Sequence, residues 1–563
     1  MPIHSRWQIP IDVCSLQTYI FGPPDSQLPT PHKPAFLDAT RPDTHFLTHQ
    51  SFRTWSQRLG AGLQKAGLEP GDRVLLFSGN SIFFPMAFMG ILMAGGIFTG
   101  ANPGYVAREL AYQLKDSEAK FLICADGSLE MGIEAAESIG MSRDRIFRFD
   151  DELFEGTGGS RLGVRNWNVL LESEHVGKAF RWYEVPDPKE DTCCLNYSSG
   201  TTGVPKGVMI THFAYVANTI QYAYLHELHP DTVERNKKAK WLCYLPMYHA
   251  MAQTVFIAGG LKRGIPVYVM KKFDFVQMLE SVQKFKITSL TMVPPIVVAL
   301  AKSPLSRKYD LSSIVDIGSG AAPLSGEVCK EAESLWPNGN VKLHQGWGMT
   351  EATCSILGCD PTKHEPPSSV GELNPNCSAM IMSPDGVTEL PLGQRGEIWI
   401  QAPNLMKGYW RKPTATSEIF VDLPSGRWLR TGDIAYVDPH GRFFIVDRMK
   451  ELIKVKGNQV APAELEGLLL EHPQLQDACV VGVTIRGEEV PRAYVVPKEG
   501  EKVDGGQVGR WLRERVVGYK RLAGGVVLVD AVPKNPSGKI LRKILRERAK
   551  EEVGDKDAVE AKL

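Results

Sequence analysis

Between residues 50 and 120 the chain alternates an amphipathic helical pattern (52–66) with short continuous apolar runs such as 73–77, each bounded by Gly or Asn. A strand that is apolar at successive positions must bury both faces, and a helix with one apolar stripe can cover only one of them. Together they demand a mainly parallel sheet layered with helices, an α/β architecture. The texture returns at 120–124, 266–270 and 289–293. Residues 81–100 carry no charge over a length that could span a bilayer. Pro85 with Gly90, Gly95, Gly96 and Gly100 predicts instead a buried helix, a turn and a strand, and no membrane span.

Near residue 370 the pattern shifts to short alternating strands between Gly and Pro turns, including 396–400 and 442–446, which predicts a barrel-like β subdomain. A smaller α+β module is expected from residue 450, with helices at 462–472 and 507–516, strands at 478–483 and 492–496, and a charged amphipathic helix near 538–552. The 563 residues then divide into a large multi-layer N-terminal domain (1–447), a hinge (448–451), a small mobile C-terminal domain (452–551) and a flexible tail (552–563).

Lys+Arg and Asp+Glu are tied at 64 each, so the broad basic footprint of a nucleic-acid binder is missing. Apolar residues at 43% and charged residues at 23% exclude a disordered or collagen-like chain. The ten cysteines include no C-x-x-C pair, which fits reduced, packed thiols rather than a disulfide framework or a zinc ribbon. The first residues show no basic stretch followed by an apolar run, so no secretory signal is expected.

The densest chemical signal lies at 197–207, where Ser198, Ser199, Gly200, Thr201, Thr202 and Gly203 precede Lys206. Glycines let backbone N–H groups approach a ligand, hydroxyls add donors and the lysine adds charge, which together make a polyphosphate cradle. It is not a Walker A loop, because Pro205 separates the lysine from the glycine and Gly207 follows it.

This loop resembles the phosphate-binding motif of the adenylate-forming superfamily, which includes acyl-CoA synthetases, coumarate-CoA ligases, luciferases and peptide-synthetase adenylation domains. Further stretches resemble family motifs in order: 319–324, 345–351, 430–433, 447–464 and 536–539. The resemblance implies that Ser319, Gly320 and Ala321 flank adenine, together with Gln345, Gly346, Trp347 and Gly348. It assigns Thr350 to the α-phosphate, Glu351 to Mg²⁺, and Asp433 with Arg448 to the ribose. Trp347 stands where a tyrosine is common, and an indole can stack on adenine equally well. Lys539 matches the catalytic lysine, whose charge suits the attack of a carboxylate on a phosphate.

The same resemblance makes Lys450 the hinge about which the C-terminal domain rotates between two half-reactions. Lys454 and Gln459 match thioester-step positions, Lys456 and Gly457 match CoA contacts, and Lys272 is a candidate for a CoA phosphate. On the acid side His249 matches a gating histidine, and Tyr248, Met251 and Val255 belong to the pocket. Met251 and Val255 replace Tyr and Ser of typical plant coumarate ligases, which predicts a more apolar pocket. Residues 245–253 contain no aspartate to hold a substrate ammonium, which disfavours an amino acid.

The resemblance therefore implies an AMP-forming acyl-CoA ligase that uses ATP, Mg²⁺ and CoA on an apolar fatty or aryl-alkanoic acid. A stand-alone adenylation enzyme that loads a carrier protein and a luciferase-like oxygenase stay open as alternatives. A non-catalytic nucleotide binder would be expected to lack Lys539 or Glu351. Ala561, Lys562 and Leu563 have the form of a peroxisomal address, so the expected location is the peroxisome and an expected partner is its import receptor.

Overall fold

The computed structural model describes residues 2–151, 159–198, 205–363, 365–456, 458–485, 487–535 and 538–560, with only the backbone of 554–560. Two sheets carry the body. An eight-stranded sheet runs in the order Gly408–Tyr409, Lys206–Thr211, Thr192–Ser198, Ile97–Ala101, Arg73–Phe77, Ala119–Ala125, Ile146–Phe149 and Arg165–Asn166. It is parallel except at its first two pairings. A seven-stranded sheet runs Leu343–Gln345, Asp316–Ser319, Ser289–Met292, Trp241–Cys243, Val267–Val269, Pro34–Asp38 and Phe46–Thr48, antiparallel only at the last pair. The apolar run 74–77 is fully buried in the middle of the first sheet, as a strand apolar at every position requires.

The charge-free stretch folds as the buried helix Phe83–Met93, a turn, and strand Ile97–Ala101. Among the described residues no helix is long and apolar enough to cross a membrane. This helix packs on His49–Lys65 at very short range, since a Cβ on Gly90 would lie 2.9 Å from Leu59 and 3.0 Å from the Ser56 carbonyl. Gly62 is tighter still, because its Cβ would lie 1.8 Å from the carbonyl oxygen of Leu170.

The β-rich region is a six-stranded sheet of Ile3–His4, Ser378–Met382, Gly396–Gln401, Gly426–Val437 and Phe420–Leu423, with Phe443–Arg448 also paired to Gly426–Val437. No pairing among the described residues closes it, so the barrel-like expectation resolves into an open antiparallel sheet.

Beyond residue 450 a hairpin, Ile453–Val455 with Asn458–Val460, leads into a three-stranded sheet of Leu475–Ile485, Glu488–Pro497 and Val526–Leu528. Ala478 and Val480 face helices Pro462–Leu470 and Gly505–Arg513, while Cys479, Val481 and Val483 face the final helix. Covering both faces explains why 478–483 reads as an unbroken apolar run. The final helix is Arg542–Glu560. It therefore starts later than expected, because Ile540 pairs with Lys534 ahead of it, and it continues through the run from 552 that was expected to be flexible.

Gly62→Ala should cost about 2 kcal/mol net. Overpacking costs about 1–3 kcal/mol or more, against a helix-propensity gain of about 1 kcal/mol. Gly127→Ala, where a Cβ meets nothing within 4 Å, should stay within about 0.5 kcal/mol of wild type. Urea midpoints at unchanged m-value provide the comparison.

Candidate active site

Parallel strands release their loops at one edge, and ligands gather in the crevice outside those carboxyl ends. Here that crevice is a cavity of about 640 Å³. Ser198, Leu245, Val293, Gly320 and Gly346 reach it from the ends of strands in both sheets, and Lys539 closes it from the C-terminal domain.

Lys539 is delivered by a turn in which Gly538 N–H donates to the Asn535 carbonyl (2.8 Å) and Lys539 N–H donates to Asn535 Oδ1 (2.8 Å). Gly538 holds φ +79° and lies against Val293 and Pro295 of the body, where a Cβ would come within 3.0 Å of Val293. Glycine alone permits both that φ and that approach. Burial pulls the Lys539 ammonium down to about 8, helped by the Arg448 charge, while Asp433 and Glu351 act in the opposite direction.

Glu351 is buried and accepts a hydrogen bond from the Tyr409 hydroxyl (2.9 Å), and the Lys206 ammonium lies 4.8 Å from the Tyr409 ring centroid. Burial first, and then the Glu351 carboxylate, raise the Tyr409 phenol, so it stays a donor. Tyr409 was missed in the sequence, because nothing local marks a tyrosine whose partner is 58 residues away. The donor set suits Mg²⁺, which takes one or two carboxylates and completes its shell with phosphates and water. Buried Ser198 Oγ and Ser319 Oγ lack partners among the described residues, as donors awaiting an anionic ligand would. Ala321 holds φ +73°, a left-handed strain for a residue with a Cβ, beside the same wall.

Asp433 and Arg448 face each other across paired strands, with Nε 3.5 Å from Oδ1. The Trp347 indole N–H donates to the other Asp433 oxygen at 2.8 Å. Trp347 and Arg448 line the cavity, whereas Asp433 sits behind them. Burial raises its carboxyl above the ordinary value, with Arg448 and the indole N–H pulling the other way.

Gln345 and Gly348 line the cavity as expected, but each also has a structural task. Gln345 spends its side chain on the backbone, accepting from Leu324 N–H (3.1 Å) and donating to the carbonyls of Leu324 (3.0 Å) and Pro367 (2.6 Å). Its amide braces the 319–324 loop and is not free for adenine. Gly348 is required by packing, since a Cβ there would lie 1.7 Å from the Cys354 carbonyl. Thr350, Gly346 and Lys450 line the cavity as expected.

Lys454, Lys456, Gln459 and Lys272 are exposed and outside the cavity, which among these motif lysines takes in only Lys206, Lys450 and Lys539. Lys456 pairs instead with Glu488 at 3.4 Å. Ser199, Gly200, Thr201, Thr202, Gly203, Gly457, Ala561, Lys562 and Leu563 lie outside the described residues.

At the acid end, His249, Met251 and Val255 line the cavity. Met251 and Val255 keep a common face although the segment Gln253–Gly259 is a π-helix. Burial lowers the His249 imidazole to about 4, so it is neutral at pH 7. Tyr248 is packed behind His249, ring centroids 4.5 Å apart, and does not reach the cavity. The wall is less apolar than expected, because Tyr222, His226, Asp316 and His344 also line it.

The AMP-binding enzyme family profile matches residues 26–410, and the AMP-binding enzyme C-terminal domain profile matches 464–539. The chain is similar to 4-coumarate--CoA ligase 1 of Petroselinum crispum, at 38% identity over 89% of each chain. It is also similar to a phenylacetyl-CoA ligase of Aspergillus niger, at 36% identity over 92% of this chain and 95% of that one. Among solved structures, ATP-bound MatB from Rhodopseudomonas palustris superposes with a TM-score of 0.81 at 26% identity, covering 96% of this chain and 99% of that one. Two profile matches in order, near-complete coverage by relatives above one-third identity and a shared fold establish that the chain belongs to the AMP-binding enzyme family.

Proposed function

We propose that the protein is an AMP-forming acyl-CoA ligase. A substrate carboxylate oxygen attacks the α-phosphorus of ATP and pyrophosphate leaves, giving acyl-AMP. The CoA sulfur then attacks the acyl carbon, AMP leaves and the thiol proton passes to solvent. The observation that carries this reading is Lys539, buried within the electrostatic reach of Glu351, Asp433 and Arg448 in one cavity with the acid-end residues.

The first step brings two anions together, and a cation withdrawn from water stabilises the charge that develops between them. Lys206 and Thr350 offer further donors along the cavity wall. Glu351 would hold Mg²⁺, which would supply positive charge to neutralise the phosphates. Arg448 on the cavity wall suits a ribose, with Asp433 bracing it from behind, and Trp347 presents its indole at the adenine end. His249, being neutral, can donate a hydrogen bond to the incoming carboxylate but cannot form an ion pair with it.

The thioester step is assigned to a second orientation of the C-terminal domain, reached by rotation about Lys450. In that orientation Lys454 and Gln459 act at the acyl carbon, while Lys456, Gly457 and Lys272 take CoA. The exposure of Lys454, Lys456, Gln459 and Lys272 in the present orientation supports this division of labour.

Lys539→Ala should slow pyrophosphate exchange by at least about 10²–10³-fold, the cost of losing one pre-aimed donor. Near-normal exchange would remove it from the chemistry. Lys454→Ala should spare exchange yet slow thioester release, and equal loss of both steps would overturn the two-orientation scheme. Because the ammonium titrates near 8, its charged form is lost as pH rises through that value. The kcat/KM of adenylation should then fall about tenfold per pH unit above about 8, and Lys539→Arg should move that limb beyond pH 10. A limb that stays near 8 in the arginine variant would assign it to another group.

A further inference from the structure

The wall of the cavity at the acid end has two chemically distinct faces, and strand register explains them. Ser289 pairs with Asp316, Thr291 with Gly318, and Gly318 with His344, so these five positions project from one face of the seven-stranded sheet. Leu290, Ile317 and Leu343 occupy the opposite face and are buried in the core. The polar face looks into the cavity, where Thr291, Asp316, Gly318 and His344 form part of the lining. Across from it, helix His212–Glu227 contributes Tyr222, Leu225 and His226.

Gly318 decides how far the cavity reaches. A Cβ there would meet only the His344 carbonyl, at 3.8 Å, so no neighbour demands a glycine and the missing side chain leaves the way open toward Asp316. The groups beyond it are underused by the protein. Asp316 accepts from Ser289 Oγ at 3.1 Å. His226 stacks edge-on against Tyr222, centroids 4.6 Å apart, and neither its ring nitrogens nor those of His344 hydrogen-bond to any described residue. Behind them Arg263 is largely buried, donates to Asn236 Oδ1 (2.6 Å) and faces the Asp316 charge, with Nε and Nη1 unpartnered.

We propose that this far end is a subsite for a hydroxyl group, so that the acid taken by this chain carries its carboxylate at the Lys539 end and a hydroxyl at the other, received by Asp316, His226 and His344. The inference rests on the acyl-CoA ligase reading and narrows its substrate class. Charge selects among the polar groups that could enter. A second carboxylate would face Asp316, whereas a neutral hydroxyl can donate to Asp316 and accept from an imidazole N–H. Burial keeps His226 neutral, its imidazole lowered to about 4, so one of its nitrogens is an acceptor and the other a donor. A plain alkyl or phenyl terminus would strip water from these groups and return no hydrogen bond, the arrangement by which polar sites reject an analogue lacking its hydroxyl.

The test is the kcat/KM of CoA-dependent AMP release for three matched pairs: octanoic and ω-hydroxyoctanoic, dodecanoic and ω-hydroxydodecanoic, phenylpropanoic and para-hydroxyphenylpropanoic acids. At least one pair should favour the hydroxylated member by about tenfold or more, the ratio expected from one buried hydrogen bond. His226→Phe, which keeps the stack on Tyr222, and Asp316→Leu should each bring that ratio toward one. Gly318→Met should do so by filling the passage, and it keeps the test alive if a polar-to-apolar change fails to fold. Turnover of acids with no preference for the hydroxyl, or a preference that survives all three variants, overturns the subsite and leaves the ligase reading standing. Silence with all six acids overturns the ligase reading and the subsite together.

Discussion

Everything in the cleft depends on one ammonium being taken out of water. Lys539 reaches its position because Gly538 closes a turn against Val293 and Pro295, and the surrounding burial weakens its hold on its proton. Desolvating a charge costs free energy unless other charges offset it. Glu351 and Asp433 provide that offset, so the carboxylate that suits a metal and the one that braces Arg448 also hold the lysine charged near neutral pH. The body fixes the carboxylates through Tyr409 and Trp347, and the C-terminal domain brings the cation to them.

Much of this was legible in the sequence. The α/β body followed from apolar runs that only a sheet covered on both faces can bury, and the helix at 83–93 from glycine and proline inside a charge-free stretch. The motif residues that line the cavity lie in contiguous stretches whose chemistry can be read locally, and the family profiles and relatives agree with the enzyme class those stretches implied.

What escaped was pairwise and long-range. Nothing local marks Gln345 as a brace for the 319–324 loop, Tyr409 as the partner of Glu351, or the Trp347 indole as a donor to Asp433, because each depends on a register between distant segments. The polar end of the cavity escaped for the same reason. Asp316 and His344 become neighbours of one chamber only when parallel strands align them around Gly318. Substitutions at Met251 and Val255 pointed toward an apolar pocket, and they describe only the stretch of wall they occupy.

Strand Phe443–Arg448 ends on two adjacent residues that point to opposite sides. Arg448 turns toward the nucleotide end, while buried Asp447 accepts the Ala463 N–H (2.8 Å) at the start of helix Pro462–Leu470, which has no side-chain cap of its own. One peptide unit thus joins a ligand contact to the anchor of the neighbouring domain. A substitution at 447 or 448 therefore acts on the cavity wall and on the seating of the neighbouring domain at once.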